Sequence, residues 1–156
     1  MTEPPEDPGV LQRLVVDTNV LIAEWLRARG RHRMVRLAAP LLATERVEHE
    51  FRYELQRRLG LIRGRGGLTE ATAQAVERDV LELYEQRVSI VGADKYAHLE
   101  AQARARIPTD PDDWPSVALA LATDADLWTE DRDFFGCGLA LWRTEVLYAE
   151  LDRLGP

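Results

Sequence analysis

"RLVVDTNVLI", residues 13–22, sets an acid at the end of an apolar run. Leu14, Val15 and Val16 are apolar without alternation, which reads as a strand buried on both faces, with Asp17 closing it. Thr18 and Asn19 follow. Val20, Leu21, Trp25 and Leu26 then recur at helical spacing. A core strand that stops on a carboxylate and runs straight into a helix suggests an α/β fold with its chemistry at the strand ends.

The rest of the chain repeats the alternation. "VRLAAP", residues 35–40, reads as a short second strand stopped by Pro40. A longer helix is expected over residues 41–59, with Val47, Phe51 and Leu55 four residues apart. "GLIRGRGGLTE", residues 60–70, is a glycine-rich break; without a lysine and hydroxyl ending it is no phosphate loop. Thr69 can cap a helix to about residue 86. "VSIVG", residues 88–92, reads as a third strand, and residues 93–107 as a helix halted before Pro108. An acidic turn then leads into an alanine-rich helix. "DLWT" (126–129) and "LALWRT" (139–144) read as strands, and residues 145–154 as a closing helix. Strands alternating with helices predict a parallel sheet covered on both faces.

Composition limits the function classes. With 156 residues, 46% hydrophobic and 30% charged, the chain suits one globular, soluble domain over residues 13–156. Residues 1–12 are acidic and proline-rich, read as a flexible lead-in and unlike a signal peptide. No apolar run approaches the roughly 20 residues that span a bilayer, so no membrane association is expected. Cys137 is the sole cysteine, which excludes an internal disulfide and a cysteine zinc cluster and fits a cytoplasmic setting. His32, His49 and His98 have no ligand-like spacing. The formal net charge of −7 argues against a general nucleic-acid coat but leaves room for local basic patches. Two arginine groups stand out: Arg27, Arg29, Arg31, Arg33 and Arg36, then Arg57, Arg58, Arg63 and Arg65.

Acids gather where this fold would place a site. Parallel sheets bind ligands beyond the carboxyl ends of their strands. Asp17 ends the first strand, Asp131 lies two residues past the strand closing at Thr129, and Asp112 and Asp113 precede a helix. Each has a plainer role: Asp112 or Asp113 as a helix cap, Asp131 and Asp133 in a polar turn, Asp17 accepting from the next helix. Together they bring carboxylates from three distant segments to one rim. Such carboxylates repel one another unless a cation sits between them. Magnesium takes hard oxygen ligands, and metal ions at such sites assist phosphodiester hydrolysis.

Two motifs carry a resemblance. "VVDTNVLI" and "DPDDWPSVALALATDADLWTEDRDF" are similar to the opening and closing signatures of PIN-domain nucleases, bracketing most of residues 13–145. The resemblance implies a three-layer α/β/α sandwich with a parallel four- or five-stranded sheet. It implies an endoribonuclease dependent on Mg²⁺ or Mn²⁺, as in VapC-type toxins of toxin–antitoxin pairs. An antitoxin protein and a homodimer are the corresponding partners. Asp17 matches the first metal ligand, Asp113 the third, with Ala118 and Ala120 at the family's offsets, and Asp131 the fourth. Asn19 and Thr129 match supporting polar positions. For the second acid, Glu45, Glu48, Glu50 and Glu54 are open; Glu50 is favoured because Phe51 and Leu55 fit the family's pattern after it. Glu48 lies about 200° around the helix from Glu50, so the two do not share an ion. Glu54, Asp110, Asp112 and Asp133 are second-rank candidates.

RNA is the expected substrate, with the arginine groups on phosphates and Trp114 the one tryptophan to test for base stacking; Trp128 and Trp142 read as core. A different class of function keeps the fold without catalysis, as an RNA- or protein-binding module. Two other Asp-at-strand-end enzymes fit poorly. A haloacid-dehalogenase-type phosphatase needs an aspartate where Asn19 stands, and a receiver domain needs a late lysine where the chain has only Lys95.

Overall fold

The computed structural model describes residues 13–154, so the lead-in at 1–12 lies outside the described residues. Its centre is β1 (Leu14–Val16), flanked by β2 (Leu41–Thr44) and β4 (Asp126–Trp128), with β3 (Val88–Val91) and β5 (Leu141–Trp142) outside them. All neighbours pair in parallel, in the order β3-β2-β1-β4-β5. The chain builds outward from β1 on one side and then on the other. Between β1 and β4 it therefore has a switch point, where parallel sheets open a crevice at their carboxyl edge.

Side chains alternate across the sheet and define two cores. Leu14, Val16, Leu41, Ala43 and Trp128 point to one face, which is covered by α1 (Thr18–Trp25), α3 (Glu45–Gly64), α4 (Glu70–Arg87) and α7 (Thr144–Leu154). Val15 and Leu127 point to the other, covered by α5 (Glu100–Arg106) and α6 (Trp114–Thr123). This is the expected α/β/α sandwich with a five-stranded parallel sheet. Ala103, Ala118, Ala120 and Ala125 are buried on the α6 side, where small side chains let helices approach the sheet closely. On the opposite side Phe51 stacks on Tyr84 at 4.2 Å between ring centres, and Trp25 meets both edge-on. Burial of one such ring contributes roughly 1.5–3 kcal/mol. No helix among the described residues is long and apolar enough to cross a membrane.

The structure revises several local readings. The second strand follows Pro40 instead of ending at it. The Pro40 carbonyl accepts from the Leu14 N–H, and the missing proline N–H costs nothing at a strand entry. Val35 lies in a turn and is exposed. Residues 41–44 are therefore strand, and α3 starts only at Glu45, capped by Thr44, whose hydroxyl accepts from the Val47 N–H. The helix then runs through Gly60 to Gly64, so the glycine-rich break is much shorter than expected. Residues 93–99 form two 3₁₀ turns before α5 rather than one continuous helix.

A helix absent from the expected pattern, α2 (Ala28–Met34), lies within the first arginine group. Only Gly30 and Met34 are buried along it, too few to give a visible periodicity. Gly30 is required by contact: a Cβ there would stand 1.7 Å from the Glu24 carbonyl oxygen. Arg33 closes the α1–α2 elbow by pairing with buried Glu24 at 2.9 Å.

Candidate active site

Register brings the first two site residues together. Val16 stands opposite Trp128, so Asp17 and Thr129 leave the sheet side by side at the switch point. The Asp17 N–H donates to the Trp128 carbonyl at 3.3 Å. The Thr129 hydroxyl donates to Asp17 Oδ2 at 3.1 Å and accepts from the Asp131 N–H at 3.0 Å. Thr129 is only 2% exposed, so one buried hydroxyl fixes the geometry of two acids. Asp131 Oδ1 also accepts from the Asp133 N–H, which closes the turn after β4. Glu130, between them, anchors this loop by accepting from the Thr144 N–H at the start of α7.

Glu50 arrives from the second turn of α3. Its Oε2 lies 3.4 Å from the Thr18 hydroxyl, which also lies 3.3 Å from the Val47 carbonyl. Asp113 ends a 3₁₀ turn over Pro111–Asp113, immediately before α6, and makes no side-chain bond to that helix's N-terminus. Asp17, Asn19, Glu50, Asp113 and Asp131 line one cavity of about 210 Å³, together with Thr44, Arg46, Val47, Pro115, Ser116 and Phe134.

The acids feel one another. Burial raises the Asp17 carboxyl above its ordinary value; the Thr129 hydroxyl opposes this, while the negative charges of Asp131 and Glu50 add to it. Asp113 is pushed up to about 6, first by burial and then by Asp110, against the pull of Arg46, with Asp131 adding further. Burial and neighbouring negative charge that disfavour the ionised forms of Asp17 and Asp113 mark a site for positive charge.

The second-rank acids lie apart from the cavity wall. Asp110 faces Asp113 closely enough to share a hydrogen bond. Asp112 is exposed and pairs with Arg104 at 3.2 Å. Glu54 pairs with Arg57 and Arg58, and Glu48 with Arg52. Asp133 contributes its N–H to Asp131 but does not line the cavity.

The arginine groups are largely committed elsewhere. Arg31 donates to the Trp25 carbonyl, Arg33 holds Glu24, Arg36 pairs with Asp152, and Arg63 pairs with Glu70. The arginine at the cavity is Arg46, which the sequence reading passed over; its spacing of one helical turn before Glu50 was the available signal. Trp114 packs edge-on against Tyr96 under the Arg104 guanidinium and does not line the cavity. Trp128 and Trp142 are structural, donating to Thr144 and Asp126.

The donor set fits a hard divalent cation: all oxygen, mostly carboxylate, with space for retained water. As the side chains stand, no group of three or more His, Cys, Asp or Glu among the described residues is placed to hold an ion. The acids face one another across the cavity instead of closing on a point.

Comparison with known proteins fits this geometry. A family model described as "PIN domain" matches residues 15–152, and the chain belongs to that family, whose members are generally nucleases. Three solved structures share the fold. PAE2754 from Pyrobaculum aerophilum is 17% identical with a TM-score of 0.57, covering 98% of this chain and 99% of that one. VapBC2 from Rickettsia felis, bound to a DNA fragment from their promoter, is 14% identical with a TM-score of 0.56, covering 85% of this chain and 98% of that one. FitAcB from Neisseria gonorrhoeae is 22% identical with a TM-score of 0.52, covering 83% and 96%. No curated protein sequence matches.

Proposed function

We propose that this PIN-domain protein is a metal-dependent endoribonuclease that hydrolyses phosphodiester bonds of single-stranded RNA. Asp17, Glu50, Asp113 and Asp131 hold Mg²⁺ or Mn²⁺, and Asn19 and Thr129 support them. The observation that carries this reading is the convergence of these four carboxylates, from four separate segments, on one cavity at the sheet's switch point. A bound divalent ion there supplies a water nucleophile and charge stabilisation at the phosphoryl group. The chain's own part is orientation. Thr129 holds Asp17 and Asp131 in fixed relation, and the loop tethered by Glu130 keeps Asp131 at the rim.

The solved relatives VapBC2 and FitAcB support a further reading, that the chain is the toxin of a toxin–antitoxin pair with a protein antitoxin. A homodimer belongs to the same reading; Tyr53 and Leu61 of α3 are exposed apolar candidates for its contact.

A second reading, a PIN-fold binding module without catalysis, is favoured by one observation: Arg46 already pairs with Glu50 and Asp113. Cleavage of single-stranded RNA separates the two. The nuclease cuts with Mn²⁺, stops with EDTA, and resumes when Mn²⁺ is restored. Binding without cutting, in protein free of contaminating nuclease, favours the module.

A further inference from the structure

Arg46 differs from Arg52 and Arg57 on the same helix. Arg52 and Arg57 each reach an acid on their own helix, as exposed helical pairs commonly do. Arg46 spends all three guanidinium nitrogens across the cavity mouth. Its Nε lies 3.1 Å from Glu50 Oε1, one turn along α3. Its other two nitrogens leave the helix altogether. One donates to the Asp112 carbonyl at 2.5 Å, and one lies 3.6 Å from Asp113 Oδ1. The guanidinium thus ties α3 to the turn before α6, between two acids assigned above to the metal.

We propose that Arg46 is a built-in counter-cation of the acid cavity, which a divalent ion displaces when it loads. This rests on the metal-dependent reading of the same cavity. Charge accounts for the pairing. Without an ion, Asp17, Glu50, Asp113 and Asp131 face one another with unfavourable charge, and Arg46 supplies the positive charge nearest to two of them. Exposure accounts for the exchange. The Arg46 side chain is 49% exposed, so its ion pairs are weak and the guanidinium can swing into water at little cost. Arg33, by contrast, is mostly buried against Glu24 and is not exchangeable in this way. The open arrangement of the acids follows as well. Glu50 and Asp113 are held on the arginine, which explains why no three acids stand ready around one point.

The test is Mn²⁺ binding, followed by the electron paramagnetic resonance signal of the free ion, for wild type, Arg46→Met, Arg46→Lys and Asp17→Asn. Removing the competitor should tighten Mn²⁺ binding about fivefold in Arg46→Met, the weight of about one exposed ion pair. Arg46→Lys keeps a charge but cannot fork across three acceptors, and should fall between Arg46→Met and wild type. Asp17→Asn should lose the site. Urea unfolding gives an independent readout. Without metal, Arg46→Met should be less stable than wild type, and saturating Mn²⁺ should erase the difference. Arg46→Met binding Mn²⁺ no tighter than wild type, while Asp17→Asn abolishes binding, overturns the counter-cation and leaves the metal-dependent reading standing. Absence of Mn²⁺ binding in wild type and Arg46→Met alike, or binding that Asp17→Asn does not affect, overturns both.

Discussion

The Thr129 hydroxyl bridges Asp17 and the backbone of Asp131, donating to one at 3.1 Å and accepting from the other at 3.0 Å. Asp17 and Thr129 are 112 residues apart in sequence, and adjacent parallel strands make them neighbours. Because Thr129 is buried, water cannot replace the hydroxyl if it is lost.

Thr129→Val keeps the shape and removes the bridge. It leaves the Asp131 N–H without its acceptor and removes the hydroxyl that donates to Asp17, which keeps only the Thr18 N–H, and this costs about 1–3 kcal/mol in urea unfolding. Mn²⁺ affinity should fall about 10- to 100-fold, the usual effect of losing a group that orients metal ligands. Isothermal titration with Mn²⁺ checks the second outcome separately from the first.

Asp17→Asn should separate stability from activity. Burial and two neighbouring acids disfavour the Asp17 charge, so a neutral isostere relieves the metal-free fold. We expect metal-free stability unchanged or raised by up to about 1 kcal/mol, with RNA cleavage reduced about 100-fold or more. Thermal melting and a cleavage assay on one preparation measure both.

The contribution of Asp113 to the stability of the metal-free protein should fall as pH rises from about 4 to 6. Folded Asp113 keeps its proton up to about 6, whereas an unperturbed aspartate releases it near 3.8. Across that window the folded state binds more protons, so its advantage shrinks with rising pH and is gone above the folded pKa. Asp17, also raised, acts with the same sign. Other carboxylates are lowered and act oppositely, Glu54 and Glu150 among them. The informative quantity is therefore wild type minus Asp113→Asn, from urea midpoints at several pH values, and this difference should fall through the window.

Gly30→Ala inverts the usual rule. In an open helix the change stabilises by about 1 kcal/mol. Here the new methyl would meet the Glu24 carbonyl oxygen, opening the elbow that Glu24 and Arg33 close. We expect a net loss of about 2 kcal/mol or more, read from the melting temperature.

The sequence disclosed most where one signal dominated. β1 is fully apolar and its terminal acid is unambiguous, so Asp17 and the parallel architecture were both legible. β4, which closes at Trp128 just before Thr129, placed Asp131 in the same way. Legibility failed where two signals competed. Ala43, four residues before Val47, continues the apolar spacing of α3 backwards, so the helix pattern absorbed β2 and pushed the expected strand onto residues 35–40. α2 was hidden because only Gly30 and Met34 are buried along it and neither Gly30 nor the arginines between them give an apolar periodicity. Within "ERVEHE", spacing separated Glu48 from Glu50 but could not choose between them; the Thr18 contact and the cavity put Glu50 on the wall. For Arg46 the sequence offered only its place one turn before Glu50; two of its three acceptors belong to residues 112 and 113, and no local pattern encodes that meeting.

The most direct test is anomalous scattering from a crystal of the wild-type protein soaked in Mn²⁺. The account predicts a peak inside the cavity, within coordination distance of Asp17 and at least two of Glu50, Asp113 and Asp131, with the Arg46 guanidinium moved out. A cavity free of anomalous density under saturating Mn²⁺, with Arg46 still bridging Glu50 and Asp113, would contradict it.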